Sequence, residues 1–221
     1  MERDKLLKKI DSFKDELINM RRHIHAHPEL SGLENQTAIL ISGYLKNIGG
    51  RVTESVGRTG VVADFGPKDK GFIGLRVDMD ALPIYENTNL SFSSKIDGIM
   101  HACGHDLHTC IGLGVAKIIK DLNLKFGTRI IFQPAEEIAS GARWMIDDGV
   151  TTGLKQILGV HVFPDLLVGT IGIKEGSLTA AAGELTVEIL GKSAHGARPH
   201  EGVDAIWAAV SYTHLTLPTK A

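Results

Sequence analysis

The chain has 221 residues, 43% of them hydrophobic, with 25 glycines and a formal net charge of -2; this suits a soluble globular protein of one or two domains with a real core. Lysine and arginine are scattered among acids, so there is no basic stripe to neutralise a row of phosphates, and nucleic acid is not an expected partner. The N-terminus MERDKLLKKIDSFKDELINMRR is charged throughout, and no later segment approaches an uninterrupted apolar run of about 18 residues, so no membrane is expected and the expected address is the cytoplasm.

Residues 3–26 carry Leu6, Leu7, Ile10, Phe13, Leu17, Ile18 and Ile24 at helical spacing, and Pro28 limits how far that helix can run. A second helical pattern covers 34–48 and stops at Gly49-Gly50. The period then changes. RVTESV, TGVVADFG and GFIGLRVDMDALP are β-branched runs separated by turn residues and read as strands. HDLHTCIGLGVAKIIKDL returns to helical spacing, TRIIFQPAEE reads as an apolar strand ending in acids, 140–148 as a short helix, and QILGVHVFP as another buried strand. Strands alternating with helices predict an α/β domain whose mainly parallel sheet is flanked by helices. From about residue 168 the chain becomes Gly-rich; AGELTVEILG alternates like a half-exposed strand, and a second domain is expected to start near 180.

Ligands of such sheets bind beyond the carboxyl ends of the strands. Asp78 and Asp80, Glu136 and Glu137, and His161 fall at the ends of three separate predicted strands. Together with the Cys103-Gly104-His105 pair they make a mixed thiolate, imidazole and carboxylate set of the kind that zinc and other borderline divalent ions favour. Adjacent Glu136 and Glu137 cannot both point to one face of a strand, and two such carboxylates resist joint ionisation unless a cation is near. One is expected to bind metal and the other to move a proton. Cys103 and Cys110 are more consistent with ligand chemistry than with a disulfide, and Cys110 with a core position. There is no CxxC to support a redox role.

MRRHIHAHPELSG, LRVDMDALPI, MHACGHDLHT, QPAEE, GVHVFP and GKSAHGARPHEGVDAI, in this order and spacing over residues 15–210, resemble the peptidase M20 amidohydrolases, in the branch that hydrolyses N-acyl, hippuryl and indole-acetyl amino acids. The resemblance implies a zinc-peptidase-like catalytic domain over 1–180 and an inserted α+β lid and dimerisation domain that begins at 181–210. It implies two divalent ions per subunit, zinc, manganese, nickel or cobalt, with Cys103 as bridging thiolate and His105, Glu137 and His161 as further ligands. Glu136 would be the general base, and Asp78 would orient a ligand imidazole from behind. Arg76 stands where relatives have a ligand histidine and is not counted as one. His195 would reach a partner subunit's site in a homodimer to stabilise the oxyanion, with Arg198 and His200 gripping a substrate carboxylate.

Other polar residues have blander expectations. His25, His27 and Glu29 would close the first helix and pack under the site. His101 and His108 would support the ligands or lie on the helix surface, and Asp80 would cap the loop into Ala81-Leu82-Pro83. The implied substrate is an N-acyl amino acid; a dipeptidase or aminopeptidase of the same family, and a non-catalytic metal-binding fragment, are the alternatives. The ending SYTHLTLPTKA breaks the helical spacing of GVDAIWAAV. Residues 211–221 accordingly read as a non-native tail of the translated-adapter type, and the chain as a truncated fragment, short of one metal-binding histidine and of most of the lid, that hydrolyses little by itself.

Overall fold

The structure, a computed structural model, describes residues 3–122, 124–178 and 186–216. It forms two compact units, 1–167 and 168–221.

In the first unit, α1 (Arg3–Asp11) and α2 (Lys14–Ala26) replace the single helix expected over 3–26. The Ser12 hydroxyl donates to the Lys9 carbonyl at 2.7 Å and Phe13 turns into the core at 6% exposure, so a local side-chain bond competes with the helix ladder. α3 (Asn35–Asn47) lies where expected. β1 (Arg51–Val56), β2 (Gly60–Phe65) and β3 (Phe72–Asp78) precede α4 (His105–Ile119), β4 (Gly127–Gln133), α5 (Gly141–Asp147) and β5 (Leu154–Gly159).

The five strands form one sheet in the order β1-β2-β4-β3-β5. β4-β3-β5 is parallel, as expected of an α/β domain. β1 and β2 run antiparallel to each other, and β2 runs antiparallel to β4, so the sheet is mixed where a mainly parallel one was expected. The three residues from Gly57 to Thr59 can close a hairpin but are far too few for a parallel crossover.

Alternation along the strands builds two cores. Val61, Ala63 and Phe65 of β2, Ile130 and Phe132 of β4 and Val77 of β3 meet Ile41 and Leu45 of α3 and Leu113 and Ala116 of α4. On the other face Val62 and Ile131 meet Met145 of α5 and Val150. Each large side chain buried this way contributes about 1.5–3 kcal/mol of transfer free energy. This three-layer packing fixes the height of β3 and β4 against α4, and so the edge where the site forms. β5 is an exposed edge strand rather than the buried one expected, with Ile157 at 55% and Leu158 at 61% exposure, because β3 is its only partner among the described residues.

In the second unit a Pro199–Glu201 3-10 turn precedes α6 (Ala205–Thr216), and Lys192 bridges Val203. The helix begun by Ala205 runs through Ser211–Thr216, past the point where its apolar spacing breaks. The strand expected over AGELTVEILG lies partly outside the described residues; 186–191 form no ladder among those described. Among the described residues no helix is long and apolar enough to cross a membrane.

Candidate metal centre

Because β3, β4 and β5 are parallel, they release the chain on one edge, at Met79-Asp80, Pro134–Glu137 and Val160–Val162. α4 begins at the same edge and presents His105 and His108 one turn apart, with ring centroids 5.3 Å from each other. Gly104 separates Cys103 from His105 with φ +84, and a Cβ there would fall 2.6 Å from the Val162 side chain. Only glycine lets the two donors turn toward the edge so close to the β5 exit.

His105 is fully buried. Its Nδ1 lies 2.9 Å from the Asp80 carbonyl and 3.1 Å from the Asp80 carboxylate, both acceptors, so Nδ1 carries the proton and the Nε2 lone pair is free to face the site. Among the described residues that Nε2 has no hydrogen-bond partner, and neither does the buried Glu137 Oε1 3.6 Å away. His161 repeats the arrangement. Its Nδ1 donates to the Val162 carbonyl at 2.6 Å, leaving Nε2 3.5 Å from Cys103 Sγ.

Donor atoms of Cys103, His105 and His161, and of His105, Glu136 and Glu137, lie within 4.8 Å of one another. Ligand bonds of about 2.0–2.3 Å from a tetrahedral ion would space its donors about 3.3–3.8 Å apart, so the observed 3.5 and 3.6 Å separations fit a shared cation. The electrostatics agree. Burial, aided by Glu137, pushes the Cys103 thiol up to about 11, and burial, aided by Glu136 and Asp80, raises Glu137 against a weaker opposing pull from His105. Both shifts favour the protonated forms, so turning Cys103 into a thiolate and Glu137 into a carboxylate at this edge calls for a positive charge among them.

Asp78 lies 3.6 Å from His105 Nε2 but spends its hydrogen bond on His108. Its carboxylate pairs with Arg76 at 2.8 Å and accepts a short hydrogen bond from His108 Nδ1, while His108 Nε2 accepts the Val162 N–H at 2.8 Å. Burial opposes the Asp78 charge, but His108, His105 and Arg76 outweigh it and hold the carboxyl below its usual range. The residue that orients His105 is Asp80, expected to be only a loop cap. Side chains two apart leave a strand on one face, and the chain turns between them. Both nitrogens of His108 are engaged, so it supports the site from the buried side of α4 rather than from the helix surface.

Asp80 is held in turn. Its second oxygen accepts the Ser31 hydroxyl at 2.6 Å and the Glu137 N–H at 3.0 Å. Ser31 escaped the sequence reading because nothing in the spacing of residues 49 apart links them.

The HAHPEL segment makes its own contacts. His25 joins Asp106 at 2.7 Å and Glu86 at 3.2 Å, His27 closes α2 through the His23 carbonyl, and Glu29 accepts the Gln36 and Thr37 N–H groups that open α3. His101 is buried, neither ring nitrogen has a hydrogen-bond partner among the described residues, and burial pushes it down to about 4. Cys110 faces the core at 6% exposure. His195, Arg198 and His200 are exposed residues of the second unit, where His195 Nδ1 accepts the Ala197 N–H and Arg198 and His200 approach Glu201.

A three-layer α/β unit thus carries a cysteine, histidine and glutamate cluster at the carboxyl edge of its parallel strands, a candidate metal centre. Residues 74–219 match the model of peptidase family M20/M25/M40, and the chain belongs to that family. It is 53% identical over 197 residues to a probable hydrolase of Synechocystis sp., covering 87% of this chain and 50% of that protein. It is 46% identical over 203 residues to the N-acetyl-L-cysteine deacetylase of Bacillus subtilis, covering 90% and 49%. Among solved structures, the Bacillus subtilis YxeP protein, described as a dinuclear metal binding peptidase of the M20 family, superposes with a TM-score of 0.72 at 48% identity over 75% of this chain and 48% of its own. The chain thus spans about half the length of the curated relatives it matches.

Proposed function

We propose that this chain carries the metal-binding half of an N-acyl-amino-acid amidohydrolase, which converts an acyl amino acid and water to a carboxylic acid and an amino acid. The observation that carries the reading is the cluster of Cys103, His105, Glu136, Glu137 and His161 at one sheet edge, with His105 Nε2 and Glu137 Oε1 buried, unpartnered among the described residues and 3.6 Å apart. The relative named an N-acetyl-L-cysteine deacetylase and the solved relative described as dinuclear support the substrate class and a pair of ions.

Cys103, His105, Glu137 and His161 would hold two divalent ions, zinc, manganese, nickel or cobalt. Bound there, the ions supply Lewis acidity, acidifying water and polarising the amide carbonyl. Glu136 takes the proton of the attacking water on its carboxylate and delivers it to the departing amine nitrogen, a step worth about 10²–10⁴-fold. Asp80 keeps the His105 proton on Nδ1 so that Nε2 stays a donor of electrons. Asp78 holds His108 and Arg76 rather than moving a proton. His195 stabilises the oxyanion in a partner subunit's site, Arg198 and His200 grip the substrate carboxylate, and the second unit joins the homodimer.

The test is a panel of N-acetyl and N-benzoyl amino acids beside dipeptides, assayed with each of the four metals on this chain and on the full open reading frame of its gene. Cleavage of acyl amino acids that chelation stops and Glu136→Gln abolishes is expected. Preference for dipeptides would move the reading to a peptidase, and turnover indifferent to chelation would end it.

A further inference from the structure

Glu34 is fully buried, lies outside the cluster just described and belongs to no expected ligand set. It sits in the loop that opens α3, far in sequence from the acids of β4. Its Oε1 accepts two backbone N–H groups, from Gly32 at 2.9 Å and from Ala135 at 2.8 Å, and its Oε2 accepts the Thr59 hydroxyl. Ala135 immediately precedes Glu136. It is fully buried and holds φ +49, a left-handed conformation that alanine adopts only under constraint.

The turn that follows is tight. The Ala135 carbonyl accepts the N–H groups of Ser140 and Gly141, and a Cβ on Gly141 would fall 1.6 Å from the Pro134 carbonyl oxygen. A buried N–H in that position must find an acceptor, and among the described residues no backbone carbonyl serves it; the Glu34 carboxylate does. Three residues earlier, Ser31 of the same loop holds Asp80, which binds the Glu137 N–H. One loop therefore grips both flanks of the Glu136-Glu137 pair.

We propose that Glu34 is the positioning residue of the carboxylate pair: it fixes the left-handed turn at Ala135 so that Glu136 and Glu137 leave β4 facing the cluster rather than solvent. This rests on the metal-centre reading above. Glutamine keeps one acceptor for Ala135 but loses one acceptor oxygen, whereas alanine removes all three contacts and leaves the Ala135 N–H unpaired.

The experiment compares the full chain with its Glu34→Gln and Glu34→Ala variants under conditions where circular dichroism finds all three folded. It reads amide exchange at Ala135 and Glu137 by NMR, and cobalt(II) affinity and visible spectrum. The expected result is loss of protection at both amides and an altered cobalt spectrum in Glu34→Ala, with affinity lower by about 10–100-fold, and an intermediate effect in Glu34→Gln. Unchanged protection at Ala135, or lost protection with unchanged cobalt spectrum and affinity, would reduce Glu34 to a packing role and overturn the proposal. If the unaltered chain binds no cobalt, the metal-centre reading fails first and takes this one with it, a failure separable from the others because it precedes any substitution.

Discussion

His105 and Asp106 are neighbours at the start of α4, yet they enter different buried polar clusters. Around Asp106 the charges close on themselves: Arg21 at 2.7 Å and His25 at 2.7 Å meet its carboxylate, and His25 reaches Glu86 on its other side. The hydrogen bond to Asp106, with help from Glu86, raises His25 above its ordinary value against the cost of burial, so its protonated form is favoured between the two acids. Around His105 the balance is different: Asp78 is paired with Arg76 and Asp80 is hydrogen-bonded, but a thiol and two glutamates stand close by, and His105 Nε2 and Glu137 Oε1 have no hydrogen-bond partner among the described residues. Buried charge is tolerable when closed and costly when open. The open cluster makes physical sense as a site completed by a cation, and the closed one as a clasp joining α2, α4 and the loop at Glu86.

Substitutions can separate the two. The largest effect belongs to Glu136→Gln, which in the product of the full open reading frame should lower acyl-amino-acid hydrolysis by about 10²–10⁴-fold while leaving cobalt binding in place, read by steady-state kinetics beside a metal titration. Asp106→Asn should cost about 3–5 kcal/mol in urea denaturation, because it leaves Arg21 and His25 facing a neutral group, and should spare metal affinity. Glu137→Gln should do the reverse. It should weaken cobalt binding by at least the roughly 10–100-fold seen when outer partners of a metal ligand are removed, without destabilising the metal-free chain, whose crowded acids it relieves.

The smallest effect is in the pH dependence. With its folded pKa raised, His25 stabilises fully below its unfolded value of 6.5, and that contribution is lost as pH rises through the folded pKa. Urea midpoints at constant ionic strength should therefore fall on the alkaline side of 6.5, and His25→Gln should flatten that limb. An unchanged slope in His25→Gln would place the titration elsewhere.

Much of the site was legible in the sequence because its chemistry sits where apolar β-branched runs end. Parallel strands must deliver those ends to one edge, so Glu136, Glu137 and His161 could be joined to the Cys103-Gly104-His105 pair before any coordinates. What was not legible depends on turns and on distant partners. Asp78 and Asp80 leave β3 on the same face, and only the bend after Met79 decides that Asp80 reaches His105 while Asp78 turns to His108. Glu34 and Ser31 act across long stretches of chain through single hydrogen bonds that no periodicity encodes. The break at Ser12-Phe13 interrupts an apolar spacing that continues through it, and the exposure of β5 follows from which strands lie beside it, not from its composition.

The measurement closest to the central claim is a cobalt(II) titration of the chain followed by absorption, with Cys103→Ser in parallel. The account predicts saturable binding with a thiolate-to-cobalt charge-transfer band that Cys103→Ser abolishes and Glu136→Gln retains. Saturable binding without that band, or a band that survives Cys103→Ser, would contradict the assignment of the cluster as a metal centre built on Cys103.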